Sequence, residues 1–165
     1  MLTKKVEKAL NRQLNVELES AYAYLAMSAY CEGESLGGFA AWLRAQYQEE
    51  VEHAMKFYHF IVDRGGRVVL EQLPQPTVDY GSALKVFETA LDQERSVTKS
   101  IHQLYSLVDD ERDYASQAWL DWFATEQVEE EKMVGQIVDD LRRIGERGEA
   151  LFLLDRELGK RQAAE

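Results

Sequence analysis

The sequence predicts an all-α fold, a four-helix bundle with a long crossover between helices two and three and a short fifth helix at the C-terminal end. Three observations lead there. Apolar residues recur at three- and four-residue spacing along four long stretches. Only two prolines occur in 165 residues, and both fall in one segment, so long helices are permitted elsewhere. That segment also has no helical stripe and is far longer than an ordinary connection.

The elements follow in order. Thr3 is a candidate N-cap for a first helix reaching about Glu32. Gly33, Glu34, Ser35, Gly37 and Gly38 mark a turn, and a second helix runs from about Leu36 to Arg64, where Gly65 and Gly66 stop it. Residues 65–81 hold Pro74 and Pro76. A helix of about 28 residues is roughly 42 Å long, and about 16 extended residues reach roughly 50 Å. The segment can therefore cross the whole bundle and make helices two and three parallel, while short turns make the other neighbours antiparallel. Ser82 can cap a third helix ending near Val108; Asp109, Asp110 and Asp113 fall at the next turn. A fourth helix continues to about Ile144, Gly145 and Gly148 interrupt it, and a short last helix spans about Glu149 to Lys160, followed by a frayed QAAE tail.

Bulk properties bound the function. The length suits one domain over 1–165 with a real core. With 45% hydrophobic and 30% charged residues the chain is globular and soluble, not disordered. A net charge of -11 argues against nucleic acid or an anionic membrane as partner and suits attraction of cations. The single cysteine, Cys31, excludes an intramolecular disulfide and fits a reducing cytoplasm. MLTKKVEKAL has no signal-peptide apolar run, and no apolar stretch of about 18 residues exists to span a membrane.

At heptad spacing the inward stripes are Leu10, Leu14, Glu17, Ala21, Tyr24 and Ser28 on helix one, and Phe39, Leu43, Gln46, Glu50, His53, Phe57 and Phe60 on helix two. Helix three gives Leu84, Phe87, Leu91, Glu94, Thr98, Ile101, Tyr105 and Val108, and helix four Ser116, Phe123, Gln127, Glu130, Val134, Ile137 and Leu141. Glu17, Glu50, His53, Glu94, Gln127 and Glu130 break these stripes halfway along each helix, which stacks them at one level. Burying an unpaired carboxylate costs several kcal/mol, on the order of a small domain's whole stability. Bound cations are the natural compensation.

The spacing also has a chemical meaning. Positions i and i+3 share a helix face, so Glu50 and His53 can grip one ion, and Gln127 and Glu130 repeat the pattern. Carboxylates with an imidazole suit iron, manganese or zinc; calcium would not take a histidine, and structural zinc would prefer thiolates. Four carboxylates and a histidine exceed the needs of one ion, whereas two ions sharing a bridging carboxylate use the set economically. Isolated stripe glutamates usually reach water at a bundle edge, but four at matching heights do not fit that account. Glu49, Glu126 and Glu129 flank the stripe residues and form either a second cation site or a solvated face. Tyr24 lies two turns beyond Glu17, within reach of the centre, and Trp122 stands similarly; for both, a plain core role is the simpler reading. His59 and His102 fall off the stripes and read as surface residues, and Cys31 as a small residue near a helix end.

A Glu on helix one, Glu-x-x-His on helix two, Glu on helix three and Gln-x-x-Glu on helix four resemble the ferritins, the bacterial non-haem branch most of all, along essentially the whole chain. The resemblance implies that Glu17, Glu50 and His53 bind one iron and Glu50, Glu94 and Glu130 a second, with Glu50 bridging and Gln127 orienting oxygen species or water. It implies a third iron site at Glu49, Glu126 and Glu129 with Glu130, and a tyrosine near the centre at Tyr24. Gln127-x-x-Glu130 replaces the Glu-x-x-His of bacterioferritins, and Val51 stands where those proteins carry a haem-binding methionine, so no haem is expected. DNA-binding mini-ferritins, which lack the fifth helix and place ligands between subunits, fit poorly. Gln117 and Leu120 match positions where animal ferritins line their channels with carboxylates, which leaves the iron entry route unassigned.

The function implied is iron storage by ferroxidase chemistry, with Fe(II) and O2 or H2O2 as substrates, in a cytoplasmic homo-oligomeric cage of about 24 subunits. A di-iron oxygenase or peroxidase would need a substrate cavity beside the metals, and the bulky stripe residues leave no evident room for one. A structural bundle whose polar core only fixes register is the third possibility. Leu151, Leu154 and Leu158, with Phe152 beside them, give the last helix an apolar face expected either to build the cage or to fold back over the bundle's end.

Overall fold

The computed structural model describes residues 2–145 and 148–161; the QAAE tail lies outside them. Five helices follow in order: α1 (Lys4–Gly33), α2 (Gly37–Asp63), α3 (Ala83–Asp110), α4 (Tyr114–Ile144) and α5 (Glu149–Leu158). Three of the caps are side chains. Thr3 accepts from Val6 N at 3.3 Å, Ser82 from Lys85 N at 3.2 Å and Asp113 from Ser116 N at 3.2 Å, satisfying amides that have no partner within the helix. Asp109 and Asp110, expected in the turn, instead finish α3, and the reversal is made by Arg112 at φ 53°.

The core falls into two apolar halves. One joins Tyr24, Met27, Phe39, Leu43, Phe87, Leu91, Val134, Ile137 and Leu141 among others; the other joins Leu10, Leu14, Phe57, Ile61, Val97, Ile101, Leu104, Leu120 and Phe123. These memberships fix the directions of the helices. The first half takes the C-terminal part of α1 and α4 and the N-terminal part of α2 and α3. Helices α2 and α3 are therefore parallel, while α2 is antiparallel to α1 and α3 is antiparallel to α4.

The crossover earns its order from α1. Asn11 donates to Arg67 O at 2.9 Å and accepts from Val69 N at 2.6 Å. One turn on, Asn15 donates to Val69 O at 2.9 Å and accepts from Glu71 N at 2.8 Å. Two buried amides thus pair with the extended backbone as a neighbouring strand would, which is how a non-helical segment can lie against a bundle without orphaned polar groups.

Helix α5 folds back on α2 and α4, with Leu151, Leu154 and Leu158 against the first core half, while Phe152 and Leu153 stay exposed at 58% and 59%. Its backbone comes so close to α2 that a Cβ on Gly38 would stand 1.7 Å from Asp155 O. Leu36 gives α2 no side-chain cap, and Asp155 supplies one by accepting from Phe39 N at 2.9 Å.

Candidate metal centre

Between the two apolar halves lies a polar layer. Glu17 follows Leu14, Glu50 and His53 fall between Leu43 and Phe57, Glu94 between Leu91 and Val97, and Gln127 and Glu130 between Phe123 and Val134. All six are buried, none more than 5% exposed. The heptad reading of the sequence thus locates the layer correctly on all four helices.

Ligand atoms of Glu17, Glu50 and His53 lie within 4.8 Å of one another. Glu17 accepts from Gln13 at 2.8 Å through Oε1, but its Oε2 and both oxygens of Glu50 are buried without a hydrogen-bond partner. Such atoms are rare in a folded chain and mark a place where another ligand belongs. Burial pushes the carboxyls of Glu17, Glu50 and Glu94 above the usual range, with Glu50 raised further by the charges of Glu94 and Glu130. Burial and the nearby Glu94 raise Glu130 to about 8. A divalent cation reverses this balance, because it favours every carboxylate in its charged form.

The other members are held by hydrogen bonds. Tyr24, fully buried, donates its hydroxyl to Glu94, so Tyr24 does reach the centre. Gln127 donates to Glu94 Oε2 at 3.2 Å and to Thr98 Oγ1 at 3.2 Å. Gln46, a stripe residue with no role assigned from sequence, donates to Glu130 Oε2 at 2.6 Å. Trp122, 42% exposed, packs edge-on to His53 with ring centroids 5.4 Å apart. His59 and His102 are exposed, and Cys31 is buried.

The flanking carboxylates divide. Glu126 is half-buried, and it shares a second potential cation position with His53 and Glu130, their ligand atoms within 4.8 Å. Glu129 is exposed and Glu49 half-buried. All three, with Glu130, line a cavity of about 810 Å³ bounded by Trp42, Leu154, Leu158 and Arg161. Space beside the centre therefore exists, contrary to what the bulky stripes led us to expect, in a groove lined by α2, α4 and α5. Its rim of carboxylates suits cations better than an organic substrate.

Residues 7–144 match the ferritin family model, a ferritin-like domain. The chain belongs to the ferritin family. It is 42% identical over 161 residues to the bacterial non-heme ferritin of Staphylococcus aureus, covering 98% of this chain and 97% of the relative, and the Staphylococcus epidermidis protein matches to the same extent. Among solved structures, an open pore ferritin from the archaeon Archaeoglobus fulgidus superposes with a TM-score of 0.96 at 45% identity, over 98% of this chain and 100% of that one. An engineered closed form of the same ferritin gives 0.98 at 44% identity, over 99% of this chain and 100% of that one. As a non-haem ferritin with the buried carboxylate–histidine cluster in place, the chain stores iron and oxidises Fe(II).

Proposed function

We propose that Fe(II) is oxidised in pairs at the mid-bundle layer, with Glu17, Glu50 and His53 holding one ion, Glu50, Glu94 and Glu130 the other, and Glu50 bridging. The observation that carries this reading is the pair of partnerless, buried Glu50 oxygens, one of them within 4.8 Å of ligand atoms of Glu17 and His53. The protein's part is to hold two cations close together and leave coordination positions free. Each Fe(II) gives up one electron. Dioxygen taking the two electrons with two protons becomes hydrogen peroxide, and hydrogen peroxide taking two more electrons from a second Fe(II) pair, with two more protons, becomes two waters. Gln127, already hydrogen-bonded to Glu94, is placed to orient the oxygen species or a water.

Glu49, Glu126 and Glu129 with Glu130 form a third, weaker iron site on the cavity under α5, through which Fe(III) leaves for a hydrated oxide mineral. The whole chain forms one ferritin-like unit, carries no haem, and assembles with its copies into a cytoplasmic cage of about 24 subunits. No helix among the described residues is long and apolar enough to cross a membrane. The reading is tested by adding Fe(II) in air and following optical absorption and particle size. Ferroxidation with storage yields a broad ferric absorbance retained within particles of constant outer size. Bound iron that turns over only with an added organic substrate points to an oxygenase, and no iron binding to a structural bundle.

A further inference from the structure

Lys132 and Arg161 both line the cavity, and of these two Arg161 is the one that pairs with a third-site carboxylate. Arg161 follows the end of α5 and reaches back to α2, its Nη2 donating to Glu49 Oε2 at 2.6 Å and its Nη1 to Gln46 Oε1 at 2.9 Å. The guanidinium also lies over the Trp42 ring, 4.6 Å from its centroid. Both members of the ion pair are largely shielded, with side chains 18% and 23% exposed. Among the described residues no other ion pair engages Glu49, Glu126, Glu129 or Glu130. The Gln46 amide that receives Arg161 donates in turn to Glu130, a residue shared by the inner and outer sites.

We propose that Arg161 is a displaceable latch on the third cation site: its guanidinium occupies the coordinating face of Glu49, and a cation bound there must expel it. This rests on the third-site reading above. The competition is electrostatic. A guanidinium keeps its charge at every physiological pH and satisfies a carboxylate through directed hydrogen bonds. A divalent ion needs the same oxygens without a positive neighbour. The position of the arginine is set from a distance by the docking of α5, through Gly38, the Asp155 cap on Phe39 and the leucine face. The turn after α5, in which Lys160 N donates to Glu157 O and Arg161 N to Leu158 O, aims the side chain back at Trp42. The latch makes the outer site weak, which suits a position that iron crosses rather than one where it rests, and it joins occupancy of that site to the seating of the C-terminal segment.

Zn(II), which undergoes no redox step, is the probe. Titration calorimetry on the assembled full-length protein compares the parent with Arg161→Ala, Arg161→Lys and Glu49→Gln, with cage size and the two tightest Zn(II) sites as checks on folding. Removing a shielded, charge-assisted pair should tighten the third Zn(II) roughly tenfold in Arg161→Ala, with Arg161→Lys in between and the two tight sites unchanged. In the Glu49→Gln background, Arg161→Ala should give no gain, an outcome that a merely structural role of Arg161 would not produce. A third site equally tight or weaker in Arg161→Ala overturns the latch and leaves the third site standing. No third Zn(II) in any variant overturns the third site and the latch with it.

Discussion

Glu50 and His53 stand one turn apart on α2, with His53 Nδ1 3.7 Å from Glu50 Oε2, and neither oxygen of Glu50 has a hydrogen-bond partner. The gap is too wide for a hydrogen bond and about right for two groups that meet through an ion between them. Glu50 also feels the charges of Glu94 and Glu130 across the layer.

Replacing Glu50 with Ala should therefore remove both inner metals. Affinity at each site should fall by roughly two orders of magnitude or more, since a first ligand matters at least as much as its supporting groups. Metal binding followed by calorimetry or by elemental analysis after desalting measures this. Loss of one site with the other intact would contradict the bridging role.

The metal-free protein should lose stability as pH rises. The raised carboxyls keep protons in the folded state that the unfolded chain gives up from about pH 4.3, so the folded form binds more protons and stability falls with pH. The decline should run from that value through about 8, where Glu130 ionises. Melting temperatures of the metal-free protein at pH 5 and pH 8 test this, with the lower value expected at pH 8. Zn(II) should abolish the difference, because metal holds the carboxylates charged. A metal-free melting temperature that is flat or rises over that range would count against buried, uncompensated carboxylates.

Glu129→Ala should change the iron-to-oxygen stoichiometry or the turnover while leaving the inner pair bound. Glu129 is exposed on the cavity rim and has no place in the buried layer. Oxygen uptake per Fe(II), measured beside metal content, decides it. If the substitution emptied the inner pair, Glu129 would belong to the buried ligand set.

Deleting the chain from Gly148 onward should weaken or break the cage yet leave helical subunits that bind the inner metals. Phe152 and Leu153 are exposed in the single chain, and apolar side chains of this size are worth roughly 1.5–3 kcal/mol each when fully buried, a contribution repeated around a symmetry axis in an assembly. Light scattering with metal content reads both parts. An intact cage of ordinary heat stability would refute the assembly role of α5.

The sequence carried most of the bundle and its buried polar layer because both are written in periodicity. A glutamate in place of a leucine on an apolar stripe is visible at Glu17, Glu50 and Glu94 without any knowledge of what lies opposite. What stayed hidden depends on contacts between distant parts of the chain. Asn11 and Asn15 read as ordinary polar helix residues, and only their pairing with 67–71 reveals them as the crossover's anchors. Gln46 was on the stripe, but its bond to Glu130 spans 84 positions. Arg161 lies beside a tail that reads as frayed, and nothing local foretells a bond to Glu49 across 112 positions. The last helix was expected to build the cage or to fold back over the bundle's end; the turn after it also enters the rim of the outer site. Glu126 was expected beside Glu130 from the family resemblance, but nothing in the sequence foretold its closeness to His53.

The central claim, a paired cation site in the buried layer, is tested most directly by anomalous diffraction from crystals soaked in Fe(II) without oxygen or in Zn(II). Two peaks about 3.5–4 Å apart should lie among Glu17, Glu50, His53, Glu94 and Glu130, with Glu50 touching both. A single peak, or none between these side chains in crystals that take up metal elsewhere, would contradict it.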